Sequence, residues 1–134
     1  MVLFDRIHHI GIAVVDIDRA LLLYRDQFSM TPGLRRTMES QGVEVQFMQL
    51  PGTLIELLAP LSKESPIARF LSSHGPGMHH MAYEVADIRD TLKWLKSNGF
   101  KVVDEEPREG AEGKLVAFVH PKSAGGVLLE LQQR

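Results

Sequence analysis

Two His-His pairs sit in matching surroundings, Ile7-His8-His9-Ile10-Gly11-Ile12-Ala13-Val14-Val15-Asp16-Ile17 and Met78-His79-His80-Met81-Ala82-Tyr83-Glu84-Val85-Ala86-Asp87-Ile88. One offset superimposes both pairs, Val14 on Val85, Asp16 on Asp87 and Ile17 on Ile88. A duplicated module with a histidine at the same point in each copy can bring two imidazoles together across a pseudo-twofold axis. That is metal-ligand chemistry, and it points to an enzyme.

Two carboxylates complete the pattern. Glu56 interrupts Leu54-Ile55-Glu56-Leu57-Leu58, and Glu130 interrupts Val127-Leu128-Leu129-Glu130-Leu131. An ionised carboxylate inside an apolar strand costs several kcal/mol, roughly, unless it is paired or metal-bound. Each half therefore offers one His and one Glu. Two imidazoles with two carboxylates form a mixed N/O set suited to divalent Co, Mn, Ni, Fe or Zn. A lone strand histidine is more often a satisfied core residue and a lone strand glutamate more often faces solvent. Repetition at matched positions is what raises all four above that reading.

The elements that must carry these residues can be traced from periodicity. Residues 7–14 alternate as a strand, with Ile10, Ile12 and Val14 on one face and His9, Gly11 and Ala13 on the other. In strand 78–85, His80 shares a face with Ala82. His9 and His80 thus point toward a surface of small residues, and His8 and His79 flank them with the opposite parity. Asp16 and Asp87 are N-cap residues for amphipathic helices predicted at 17–29 (Ile17, Leu21, Tyr24, Phe28) and 88–98, the second stopped by Asn98-Gly99. Strands are predicted at about 34–39, 43–50 and 53–59, with Pro51-Gly52 as a hairpin turn, and again near 101–104, 114–120 and 126–132. Ser65-Pro66 opens a short connecting helix over 66–73. The polar stretch 105–113 is a long loop and a candidate lid.

The expected fold is α+β: two βαβββ modules related by pseudo-twofold symmetry, forming a curved, cupped mixed sheet with the helices outside. Module one runs from about 5 to 60, the linker helix from about 65 to 74 and module two from about 76 to 132, together one domain of 134 residues.

Composition narrows the function classes. Hydrophobic residues make up 44% and charged residues 24% of the chain, and the net charge is −2. Basic residues are scattered, which speaks against nucleic acid and anionic membrane partners. No apolar run nears the roughly 20 residues needed to span a bilayer, and no basic-then-apolar leader opens the chain. There is no cysteine, so disulfides, thiolate nucleophiles and Cys-ligated zinc are excluded. A cytoplasmic location fits best.

The motifs also carry a resemblance. His9-Ile10-Gly11-Ile12-Ala13-Val14, Ile55-Glu56-Leu57-Leu58-Ala59-Pro60, Gly77-Met78-His79-His80-Met81-Ala82-Tyr83 and His120-Pro121-Lys122-Ser123 with Gly126-Val127-Leu128-Leu129-Glu130-Leu131 stand in order. Together with Ser65-Pro66-Ile67-Ala68 they resemble the methylmalonyl-CoA epimerase family of the vicinal oxygen chelate (glyoxalase-like) superfamily, over nearly the whole chain.

The resemblance implies His9, Glu56, His80 and Glu130 as ligands to a divalent metal, most often Co2+, with Mn2+, Ni2+ or Zn2+ as alternatives. It also implies a homodimer and interconversion of (R)- and (S)-methylmalonyl-CoA, which links propionyl-CoA metabolism to succinyl-CoA. Glu130 is the expected acid/base, and Lys122 the expected partner for an anionic group of the substrate. Some members of the family carry Gln where Glu56 stands and a catalytic Glu at the position matching Val45. Here Glu44 is one residue out of that register and is expected on the opposite face. Two rivals remain on the same fold: another glyoxalase-like enzyme, such as a lactoylglutathione lyase-type isomerase, or a metal-free small-molecule binding protein.

Overall fold

The computed structural model describes residues 3–134. Contacts divide the described residues into two compact units, one of residues 9–79 and the other of residues 80–134 with residues 3–8. Each contains the βαβββ order expected from the sequence, and the α+β class is borne out.

The first unit begins within β1 (Arg6–Ala13), which leads to α1 (Ile17–Leu21), β2 (Thr31–Met38), β3 (Val43–Leu50) and β4 (Thr53–Pro60), with α2 (Pro66–His74) following. The strands lie in the order β2-β3-β4-β1. β1 runs parallel to β4 with Gly11 against Glu56, and β3 is antiparallel to β4 with Phe47 against Glu56. The β3–β4 hairpin turns at Pro51-Gly52, where Gly52 has φ +79°, a left-handed conformation that only glycine adopts cheaply. Ile10, Ile12, Val14, Met48, Ile55 and Leu57 pack with Ile17 and Leu21 of α1. His9, Phe47 and Glu56 alternate with these and occupy the other face.

The helix predicted over 17–29 is regular only to Leu21. Leu22–Gln27 is π-helical, with the Phe28 amide donating to the Leu23 carbonyl at 2.8 Å. The wider turn keeps Tyr24 on the core but shifts Phe28 off the apolar stripe, leaving it 56% exposed. Ser29 then takes φ +60° and ends the segment. β2 starts earlier than predicted: Thr31 and Pro32 already pair with β3, and the register shifts between Pro32 and Arg35.

In the second unit, β5 (Gly77–Val85), α3 (Ile88–Ser97), β6 (Arg108–Glu109), β7 (Leu115–Val119) and β8 (Leu129–Gln133) repeat the plan, in the order β5-β8-β7-β6. β8 is parallel to β5 with Glu130 against Ala82, and antiparallel to β7 with Glu130 against Phe118. Val85, Leu131, Ala117 and Val119 pack beneath Ile88, Leu92 and Leu95 of α3. The Asp87 carboxylate caps α3 by accepting from the Asp90 amide at 3.0 Å, as Asp16 does from Arg19 at 2.9 Å in the first unit.

The strand predicted at 101–104 reduces to one bridge, Val102 with Val119. Its ladder stops because the Asp104 carboxylate accepts from the Phe118 amide at 2.8 Å, taking a place a strand carbonyl would fill. Conversely, the predicted loop 105–113 contains β6, so its tip is anchored. β8 begins at Leu129 rather than 126, because Gly125 and Gly126 form a turn with φ +65° and +91°. No helix is long and apolar enough to cross a membrane, among the described residues.

Candidate metal centre

Identical placement in each unit puts an imidazole beside a carboxylate. His9 Nε2 lies 3.6 Å from Glu56 Oε1, and His80 Nε2 lies 3.3 Å from Glu130 Oε1. All four residues are buried. The register explains the match: His9 precedes Gly11 by two residues and His80 precedes Ala82 by two, while Gly11 and Ala82 stand directly against the two glutamates. An aromatic edge holds each ring: Phe47 meets His9 with centroids 5.9 Å apart at 84°, and Phe118 meets His80 at 5.5 Å and 83°.

These spacings suit ligands of a common cation. A charge-assisted N–H···O bond closes to about 2.7–2.9 Å. Two atoms each about 2.1 Å from one ion, at about 90–110° as seen from it, lie about 3.0–3.4 Å from each other. The His80–Glu130 distance falls in that range and the His9–Glu56 distance just beyond it. In each unit the pair, one imidazole nitrogen with one carboxylate oxygen, is of the donor type borderline divalent ions prefer. The residues present therefore fit a divalent metal.

The flanking histidines are engaged elsewhere. His79 meets Phe70 of α2 edge-on at 4.8 Å, and His74 stacks on the same ring at 4.6 Å. His8 is buried, with Nε2 3.0 Å from both Glu112 Oε1 and Gln132 Nε2. Its parity marked it as flanking, whereas its partnership with Gln132 and Glu112 was missed. The available signal was Gln132 itself, which shares a strand face with Glu130 two residues away.

Glu44 faces away from Glu56, as expected. It pairs across the ladder with Ala59, and its carboxylate accepts from Arg35 at 3.2 Å. The same guanidinium donates to Asp18 at 2.8 Å, and this bond, with the charge behind it, holds the Asp18 carboxyl below its usual range. Lys122 is exposed on the 3-10 turn Pro121–Ser123, which His120 caps by accepting from the Lys122 amide at 3.1 Å.

Duplicated βαβββ modules with one buried His–Glu pair apiece define a glyoxalase-like chelating scaffold. The Glyoxalase/Bleomycin resistance protein/Dioxygenase superfamily profile matches residues 8–118, and the chain belongs to that superfamily. It is 43% identical to an ethylmalonyl-CoA/methylmalonyl-CoA epimerase of Cereibacter sphaeroides, over 98% of this chain and 99% of that protein. The crystal structure of methylmalonyl-CoA epimerase from Mycobacterium tuberculosis superposes with a TM-score of 0.92 at 38% identity, covering 98% of this chain and 89% of that one. A methylmalonyl-CoA epimerase in complex with methylmalonyl-CoA and NH4+ superposes with a TM-score of 0.92 at 33% identity, covering 98% and 95%.

Proposed function

We propose that this protein is a metal-dependent methylmalonyl-CoA epimerase that interconverts the (R) and (S) forms, with His9, Glu56, His80 and Glu130 holding one divalent cation. The observation that carries the reading is the matched, buried His–Glu pair at the same register in both βαβββ repeats. The names and substrates of the relatives support it independently.

The substrate has a thioester carbonyl and a carboxylate flanking one C–H. His9, Glu56, His80 and Glu130 would hold the ion, which when bound would supply Lewis-acid charge that makes the C2 proton more acidic. Each tenfold of rate requires only about 1.4 kcal/mol of barrier reduction. Glu130 serves as an acid/base, its carboxylate taking the proton from one face of C2 or returning it. His9, Glu56 and His80 would hold the ion in place, with the Phe47 and Phe118 rings packed edge-on against the two imidazoles. Lys122 provides a cation for an anionic group of the substrate from its exposed turn. Cobalt is the preferred ion, with manganese, nickel and zinc able to replace it. The chain works as a single domain within a homodimer, in the cytoplasm.

The test is to load the protein with Co2+ and incubate it with one methylmalonyl-CoA epimer in deuterated water. Deuterium should enter C2 and the other epimer should appear. Absence of both overturns the proposal.

A further inference from the structure

The turn between β6 and β7 is built to hold one carboxylate in place. Gly110 and Lys114 close it through the Gly110 amide, which donates to the Lys114 carbonyl at 2.8 Å, and the Gly113 amide donates to the Gly110 carbonyl at 3.0 Å. A Cβ at Gly110 would lie 2.7 Å from Val116 Cγ1, so only glycine lets the chain press this closely on β7. Gly113, with φ +81°, completes the bend. Between them stands Glu112.

Its Oε1 lies 3.0 Å from His8 Nε2 and accepts from Gln132 Nε2 at 3.4 Å. His8 and Gln132 are 6% and 3% exposed, while the Glu112 side chain keeps 31% of its surface. A half-exposed carboxylate on a turn thus reaches inward to two buried polar groups. Both have consequential neighbours. His8 is bonded to His9 through the chain, and Gln132 lies two residues beyond Glu130 on the same face of β8.

We infer that Glu112 is a positioning residue for the metal ligands: it clamps the strand ends that carry His9 and Glu130, and so sets the orientation of both donors. The inference rests on the metal-site reading above. Removing the carboxylate takes one partner from each of two buried polar groups and frees the turn from β1 and β8. Outer partners of metal ligands generally contribute to affinity through such orientation.

The test measures Co2+ affinity of the purified protein by calorimetry, with thermal melting and amide hydrogen exchange of the metal-free protein alongside. The set is wild type, Glu112→Ala, Glu112→Gln and the control Glu106→Gln. Glu112→Ala should weaken Co2+ binding roughly 10–100-fold, speed exchange in residues 129–133 and lower the melting temperature by about 5 °C. Glu112→Gln, whose amide oxygen can still accept from Gln132, should recover most of the affinity, and Glu106→Gln should match wild type. Glu112→Ala within twofold of wild type overturns the inference while leaving the metal site standing. A wild-type chain that takes up no divalent ion overturns the metal reading, and this inference with it.

Discussion

Ala82 stands directly against Glu130 in the β5–β8 ladder and is fully buried. A small side chain beside the carboxylate leaves room for whatever Glu130 serves. Ala82→Leu would fill that room. It should destabilise the fold by about 1–3 kcal/mol, the usual cost of overpacking, and suppress exchange at C2. Urea unfolding and the deuterium assay measure the two effects separately. Full activity in the variant would show that this space is not used.

Glu130→Gln keeps the shape of the side chain but cannot take a proton. With Co2+ at saturation, its rate of C2 exchange should fall by about 10²–10⁴-fold. A rate within threefold of wild type would remove Glu130 from the acid/base role.

Because the four donors proposed for the metal come from residues far apart in the chain, metal should stabilise the folded state specifically. Free Co2+ at a hundred times its Kd should add about 2.7 kcal/mol. Chelation should reverse the gain, and His80→Ala should abolish it. Calorimetric melting with and without chelator checks this.

Arg35 donates to Asp18 at 2.8 Å, and this hydrogen bond, followed by the charge, lowers the Asp18 pKa from 3.8. A carboxyl depressed in the folded state contributes stability above its unfolded pKa and loses it as pH falls through the folded one. The contribution should therefore fade only below about pH 4. Arg35→Gln should return the Asp18 titration to the ordinary carboxylate range, read by NMR of its side chain, and leave stability at pH 7 little changed.

The residues proposed to carry the chemistry are legible because they break a period. His9, Glu56, His80 and Glu130 are polar residues at fixed parity in alternating or apolar strands, and duplication marks them twice. The helix caps Asp16, Ser65 and Asp87 were legible for a local reason, since a cap acts within three residues of itself. What stayed hidden depends on backbone not encoded by side-chain pattern. Leu22–Gln27 has a composition that suits an α-helix as well as a π-turn, and only packing of Tyr24 and Met30 decides between them. The two-residue β6 is too short for any periodicity. Glu112 meets His8 across most of the chain's length, so the contact exists only once the β6–β7 turn has folded.

The brevity of β6 has a bearing on solubility. An outermost strand leaves one row of amides and carbonyls available for recruiting another polypeptide. Here that row is two residues long in one unit. In the other, the outermost strand β2 carries Pro32, a slipped register and two adjacent arginines, Arg35 and Arg36. Neither β6 nor β2 offers a long, flat template, so the protein should resist fibre formation at concentrations where one with long, bare edge strands would not.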